Sequence, residues 1–365
     1  MQGVDANQLE KACKLLGDTV LDPAVWPLAM DEICRAVGAS GALLLQSDVR
    51  TADIPRTPSF EEPTQFYFRN GWHARDSRAT RGIPLMLGGA SVVTDQDVMS
   101  AEQMRLDPMY NECLLPNGFQ WFAAVACWAS TALWALSIQR TPSEGPFEQG
   151  DKQALAGISR RLTEAATLST AVGRSAICSA TNALNAVRQP AVAIDRLGFV
   201  LDTNPAAEAM FDDCLQIRDR RLFVADATAR ACVERLTDQL RVTADTAALP
   251  CDPIVVRRKR QAPVIVRVLP VHGAARNPFV GARALLTFAV VAPRPGPKPA
   301  VLAKVFGLTP AEAKLASLMA EGLSPEKAAE ELKIARETAR NQLKAVFAKT
   351  ATHRQGELVA LLSRL

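Results

Sequence analysis

The sequence is short of the residues on which most enzyme chemistry leans. Three histidines (His73, His272, His353) occur in 365 residues, and none lies near another. That argues against a metal centre and against histidine-dependent acid–base catalysis. Eight cysteines (Cys13, Cys34, Cys113, Cys127, Cys178, Cys214, Cys232, Cys251) are scattered without a Cys-x-x-Cys pair. They read as reduced core thiols of a cytosolic protein. No nucleophile elbow, phosphate-binding loop or His-Glu-x-x-His pattern is present. The expectation is therefore no catalytic residue, no metal ligand and no cofactor. The amino-terminal MQGVDANQLEKACK is polar and lacks the apolar core of a secretory leader. Excess charge is also scarce. The net charge is +4, and residues 301–365, with ten Lys/Arg against seven Asp/Glu, carry most of it. Attraction for polyanions is thus local to the carboxy-terminal tail.

One stretch lacks charge altogether. Phe119 to Ile138, FQWFAAVACWASTALWALSI, is twenty residues long with tryptophans near its ends, which suffices to cross a bilayer. Much of it is Ala and Ser, and the turn-forming Pro116-Asn117-Gly118 precedes it. A buried β-hairpin turning near Ala129-Ser130-Thr131 is the expected form. A membrane-tethered regulator is the alternative.

The tail is the most organised part of the chain. Thr309, Pro310 and Glu312 form a capping box with proline at the first helical position. Leu315, Leu318 and Met319 follow, and Gly322 ends the helix. Ser324-Pro325 opens a second, short helix with Ala328, Ala329 and Leu332 inward. Lys333-Ile334 is a tight connection, and a third helix is expected from about Ala335 to Thr350. On a helical wheel Ala339, Leu343, Val346 and Phe347 share an apolar arc. Arg340, Asn341 and Lys344 share the opposite arc, kept slim by Ala345 and Ala348. Residues 307–331 set two lysines against five glutamates, while 332–354 set six bases against Glu337. A slim helix with a basic, amide-bearing face suits a major groove.

The segments LTPAEA, EGLSPEKAAEEL and ETARNQLKAVFAKT resemble the LuxR-type helix-turn-helix, a four-helix DNA-binding domain, over the last sixty or so residues. The chain departs from that pattern at the turn, where Lys333-Ile334-Ala335 replaces Gly-Ile-Ser. It departs again at Gln342, which replaces a histidine, and at Lys349-Thr350-Ala351, which replaces Lys-Leu-Gly. The resemblance implies that Arg340, Asn341 and Lys344 meet base edges and that Arg336, Thr338 and Lys349 meet phosphates. It also implies a homodimer, with Leu358, Leu361 and Leu362 on a stripe of a last helix begun by a Thr352–Gln355 capping box.

Upstream, helices are expected over residues 5–21 and 23–37, a strand over Gly41–Gln46, and a loop over 48–64. A short strand near Ser91–Thr94 and the hairpin follow. This layout resembles a GAF-like or autoinducer-domain-like α/β sensor. Tyr67 and Asp76 stand at the spacing of ligand-pocket residues in autoinducer-binding domains, and Trp72 lies between them. The competing reading makes Tyr67 and Trp72 core aromatics and Asp76 a cap. Residues 147–187 lack proline and carry Leu155, Ile158, Leu162, Ala165 and Val172 at helical spacing. Either a parallel coiled coil between two copies or a helix packed on its own domain fits. Ala191 to Phe288 resembles a PAS domain through AVAIDRLGFVLDTNPAAEAMF, with Asn204 capping a helix begun by Pro205. Residues 292–300, APRPGPKPA, read as a semi-rigid spacer.

The expected architecture is multidomain. Two α/β (α+β) sensor domains, GAF-like over 1–146 and PAS-like over 188–291, are joined by a helix over 147–187. An all-α four-helix reader over 301–365 follows the spacer. The expected function is a cytoplasmic, dimeric, signal-responsive regulator that binds double-stranded DNA. A small-molecule ligand and RNA polymerase are its further partners, and the membrane is not one. An enzyme housed in residues 1–290, with the tail as a targeting module, is the rival from another class.

Overall fold

The computed structural model describes residues 4–48, 51–242, 252–292, 295–363 and 365. The chain mixes helix and sheet and divides into two compact units, Met1–Val290 and Val291–Leu365.

In the first unit, helix α1 (Ala6–Asp18) is capped by Asp5, whose carboxylate accepts from the Asn7 and Gln8 amides. Helix α2 (Trp26–Ala36) leads to strand β1 (Gly41–Gln46). Helices α3 (Glu61–Arg69) and α4 (Ser77–Leu87), strand β2 (Val92–Thr94) and two short helices, α5 (Asp95–Val98) and α6 (Ala101–Leu106), come next. Helix α3 begins inside the expected 48–64 loop, where Glu61 and Glu62 suit the positive end of a helix. Strands β3 (Trp121–Ala129) and β4 (Ala132–Arg140) complete an antiparallel sheet ordered β1-β4-β3-β2.

The uncharged run is therefore the β3–β4 hairpin, turned at Ser130, which takes a left-handed φ of 56°. It needs no charge because both its faces are covered. Ala123, Val125, Cys127, Trp134, Leu136 and Ile138 pack into a core with α1 and α2. Phe122, Ala124, Ala126, Leu133 and Ala135 point to a second core on the other face. Among the described residues, no helix is long and apolar enough to cross a membrane.

Helix α7 (Gln149–Ala186) starts at a capping box of Glu148 and Asp151 and runs unbroken for 38 residues. Leu155, Ile158 and Leu162 are buried in the β3–β4 core of their own chain. The stripe that could have zipped to a second copy is thus occupied, and the packed-helix reading holds. Farther along, Gly173 lets the turn at Gly273–Arg276 press onto the helix. A Cβ there would meet Asn277 Nδ2 at 2.6 Å and the Ala274 carbonyl at 2.9 Å.

The second sheet follows. Strands β5 (Ala191–Asp195) and β6 (Val200–Thr203) are joined at Gly198. Helix α8 (Pro205–Glu208) is capped by Asn204, and strands β7 (Leu215–Arg218) and β8 (Arg221–Val224) form their own hairpin. Helix α9 (Ala227–Val242) covers one face of the sheet, and strands β9 (Ile254–Val256), β10 (Val264–Pro270) and β11 (Ala282–Val290) complete it in the order β6-β5-β11-β10-β9. Cys251 lies outside the described residues.

Two contacts fasten this sheet to the first. Phe279 inserts its ring edge-on to Trp26 at 5.7 Å and to Trp134 at 5.1 Å. Beside it Asp53, wholly buried, pairs with Arg283 and lies 3.9 Å from Arg276. Arg196 Nη1 donates to the Asp53 backbone carbonyl at 3.2 Å, and its Nη2 donates to Gln46 Oε1 at 3.3 Å. Removing one partner from a buried ionic cluster leaves uncompensated charge in a poorly solvated space. Asp53→Ala is therefore expected to destabilise the unit by about 3–5 kcal/mol in urea unfolding. A loss well under ~1 kcal/mol, the level of an exposed pair, would show that the cluster contributes little.

The second unit holds five helices among the described residues: α10 (Pro299–Phe306), α11 (Pro310–Ala320), α12 (Pro325–Glu331), α13 (Arg336–Thr350) and α14 (Gln355–Leu362). Helix α10 takes over the end of the expected spacer, and Gly296 lies against α11 with its amide donating to Glu321 Oε1 at 3.0 Å. Residues 293–294 of that spacer lie outside the described residues. The Thr309–Glu312 capping box forms. The Thr352–Gln355 box does not. Thr352 is buried against the Thr350 hydroxyl, and Glu357 accepts from the His353 amide instead. Leu358 and Leu362 are fully buried in this unit's own core, so they are corrected from dimer contacts to core residues. Leu361 is half-buried.

The turns before and after α13 each hold a residue in left-handed backbone that is not glycine, Lys333 (φ 55°) and Ala351 (φ 52°). A Cβ in that conformation crowds the following carbonyl, at about 1–2 kcal/mol per residue. Ala351→Gly is expected to stabilise the unit by roughly 1 kcal/mol, after the entropy glycine adds to the unfolded chain. Slower amide exchange along α13 in the full chain is the readout, and equal or faster exchange would refute the strain.

Candidate functional site

Two places collect functional side chains. The first is a cavity of about 80 Å³ in the first unit, between the β3–β4 hairpin and helices α3 and α4. Its wall is mainly apolar, including Leu43, Phe60, Ile83, Met86 and Leu133, with a few polar groups among them, such as Asp76, Arg78 and Ser137. Small-ligand sites have this character. A more polar hollow shares Ser47, Asp76, Ala79 and Ile83 with it and adds Asp48, His73 and Thr80.

Tyr67 and Asp76 meet in the cavity wall, the Tyr67 hydroxyl donating to Asp76 Oδ2 at 2.9 Å. Asp76 is also the N-cap of α4, its Oδ1 accepting from the Arg78 and Ala79 amides at 3.0 and 3.2 Å. The cap role and the cavity position therefore coincide in one residue. Trp72 stands apart. It is buried in the same core as Tyr67, with the Arg75 guanidinium 3.8 Å above its ring, but it does not line the cavity.

The group that sequence reasoning missed is Arg78. Its residue is 8% exposed and lines the cavity. Nη1 donates to Gln139 Oε1 at 3.1 Å, and the Gln139 amide in turn donates to Ser137 Oγ at 2.8 Å. The guanidinium lies over the Phe122 ring at 4.9 Å. Nε is buried, 3.7 Å from Asp76 Oδ1, and makes no hydrogen bond. Burial lowers the Arg78 pKa, and the charge of Asp76, followed by Tyr110, Asp95 and Tyr67, more than offsets it. One signal was readable: Gln139-Arg140 closes the uncharged hairpin, so a polar group had to lie at the end of an apolar strand.

Beside this network Asp95 is fully buried, accepting from the Tyr110 hydroxyl at 2.6 Å and the Phe122 amide at 2.7 Å. Burial pushes its pKa from 3.8 to about 6, against the lowering effect of those bonds and of Arg78. The Cys113 thiol in the cavity wall is pushed by burial up to about 11, so it stays protonated and unreactive at neutral pH.

The second place is the exposed side of α13. Arg336, Thr338, Arg340, Asn341 and Lys344 are exposed, while Ala339, Leu343 and Val346 are buried beneath them. The pairs Arg340–Glu337 at 3.9 Å and Arg336–Glu330 at 3.6 Å are solvent-exposed and hold the arginines weakly. Lys349 is different. Its Nζ bonds Glu312 Oε2 at 2.7 Å, tying the end of α13 to the start of α11. That bond and the Thr309 amide hold the Glu312 carboxyl below its usual range. Lys349 therefore has a structural partner, which its position at a helix end did not disclose.

No family model matches the chain, and the search of curated proteins finds no match. Among solved structures, "Crystal structure of the phage VqmA-DPO complex" matches at 11% identity. It covers 51% of this chain and 87% of that one, with a TM-score of 0.20. "Crystal Structure of the E.coli DhaR(N)-DhaL complex" matches at 12% identity, covering 77% and 87%, with a TM-score of 0.24.

Asp95 gives the pocket a pH signature. Its folded pKa lies above the unfolded one, so the native state holds more protons between about pH 4 and 6. Stability from this group is complete below that window and is lost as pH rises through it. Asp95→Asn removes the titration. Measured by urea unfolding, the native protein should lose stability relative to the variant by ~2–3 kcal/mol from pH 4 to pH 7. A pH-independent difference would refute the shifted carboxyl.

Proposed function

We propose that the chain is a sequence-specific DNA-binding transcription regulator, acting as a homodimer, whose DNA binding responds to a small molecule held in the cavity. The single observation that carries this reading is the sorting of α13. Bases and an amide are exposed along one side, and a tightly packed apolar side fixes them in place. On this reading residues 301–365 are a LuxR-type helix-turn-helix, 1–146 a GAF-like or autoinducer-domain-like sensor and 188–291 a PAS-like domain. The site of action is the cytoplasm, and RNA polymerase is a further partner. The mechanism is binding without a bond-making step.

In this mechanism Arg340, Asn341 and Lys344 enter a major groove and meet base edges, while Arg336 and Thr338 take phosphates. Lys349 reaches a phosphate only by leaving Glu312, so its substitution perturbs the helix pair as well. Arg336 is the cleaner phosphate probe.

Each variant is titrated against a duplex selected from a random pool by the native protein, and against random duplex, at several salt concentrations. Arg340→Ala should reduce the ratio of selected to random affinity by roughly tenfold or more, the value of a two-bond guanine contact. Arg336→Ala should weaken both duplexes alike and lower the salt slope by about one unit. Stoichiometry in the same titration should be two protomers per selected duplex. An unchanged ratio in Arg340→Ala would overturn the base-reading face, and no DNA binding by the native chain would overturn the function.

A further inference from the structure

We propose that Arg78 determines which molecules the cavity accepts: its Nε–H donates to an acceptor atom of a small, uncharged ligand, and the site refuses anions. The inference rests on the reading of the cavity as a ligand site and adds the chemical class.

Arginine carries five donors in a fixed fork. In this wall Nη1 donates to Gln139, but Nε, in ion-pair contact with Asp76, is buried without a hydrogen bond. A buried charged group with an unmade hydrogen bond is expensive. The protein keeps Arg78 there nonetheless, stacked on Phe122 and held by the Gln139–Ser137 relay. The nearest carboxylate oxygen, Asp76 Oδ1, is engaged by two backbone amides and stands 3.7 Å from Nε. An acceptor delivered from the cavity would give Nε the bond it lacks.

The charge around Arg78 decides what kind of acceptor fits. Two carboxylates, Asp76 and Asp95, already stand close to this one guanidinium, and both raise its pKa. An anionic ligand would add a third negative charge beside a guanidinium that already faces two carboxylates. A neutral carbonyl supplies the lone pair without that penalty. The remaining wall, Leu43, Phe60, Ile83, Met86 and Leu133, takes a compact apolar body.

The test compares four ring compounds of similar size on the full chain near neutral pH: cyclohexanone, cyclohexanecarboxylate, cyclohexylammonium and methylcyclohexane. Affinity is read by calorimetry. Cyclohexanone should bind at least about tenfold tighter than each of the others, the value of a hydrogen bond to a charged group. In Arg78→Met its advantage over methylcyclohexane should vanish. Because that variant removes a buried charge and could fail to fold, the ranking on native protein stands alone. The Arg78 Nε–H resonance of nitrogen-labelled native protein provides a second readout and should shift with cyclohexanone but not with methylcyclohexane. Equal or tighter binding of the carboxylate or the ammonium, a ketone advantage that survives Arg78→Met, or an unmoved resonance in the ketone complex would each overturn the inference. Binding of all four without preference would overturn it while leaving the cavity as a ligand site. Binding of none would overturn both.

Discussion

The β3–β4 hairpin is the constraint from which the first unit follows. It is covered on both faces, so it cannot carry charge, and its two sets of alternating side chains serve two different cores. One set fixes α1, α2 and α7. The other forms the floor beneath α3 and α4, where the cavity lies. A slip of one residue in its register would exchange the two sets, sending Trp134 toward the cavity and Phe122 toward α7. Arg140, at the end of β4, pins that register. It donates to the Gly38 and Pro146 carbonyls and to Asp151, stacks on Phe147, and so joins α2, the hairpin and the start of α7.

Much of this was legible in the sequence where a local rule acts alone. The hairpin followed from its turn residues and its Ala and Ser content, the Thr309–Glu312 capping box from residue identity, and the buried arc of α13 from its period. The Thr352–Gln355 box, expected on the same ground, did not form. What a period cannot disclose is the identity of the partner. Leu358 and Leu362 were correctly placed on one stripe, yet that stripe faces their own core. The α7 stripe behaves the same way. Lys349 and Arg78 are single cations among 42 Lys/Arg, and their roles depend on Glu312 and Gln139, which lie 37 and 61 residues away in sequence.

The two missing turn glycines show the reverse case. The backbone at Lys333 and Ala351 keeps the left-handed conformation that glycine would favour, although the residues do not. Tertiary packing of α12, α13 and α14 overrides the local preference there. The Lys333 amide still donates to the Glu330 carbonyl and the Thr352 amide to the Phe347 carbonyl, so the turns retain their hydrogen bonds while carrying strain.

Helix α7 is gripped twice. Leu155, Ile158 and Leu162 hold it to the first sheet, and Gly173, Ile177 and Thr181 hold it to the second. The two grips lie on one unbroken rod, about 1.5 Å of rise apart for each intervening residue. No glycine pair or proline lies between them to act as a hinge. The rod therefore resists torque: for one sheet to turn relative to the other, the helix must twist or bend or one grip must tear loose, and the Phe279 and Asp53 contacts must give way as well.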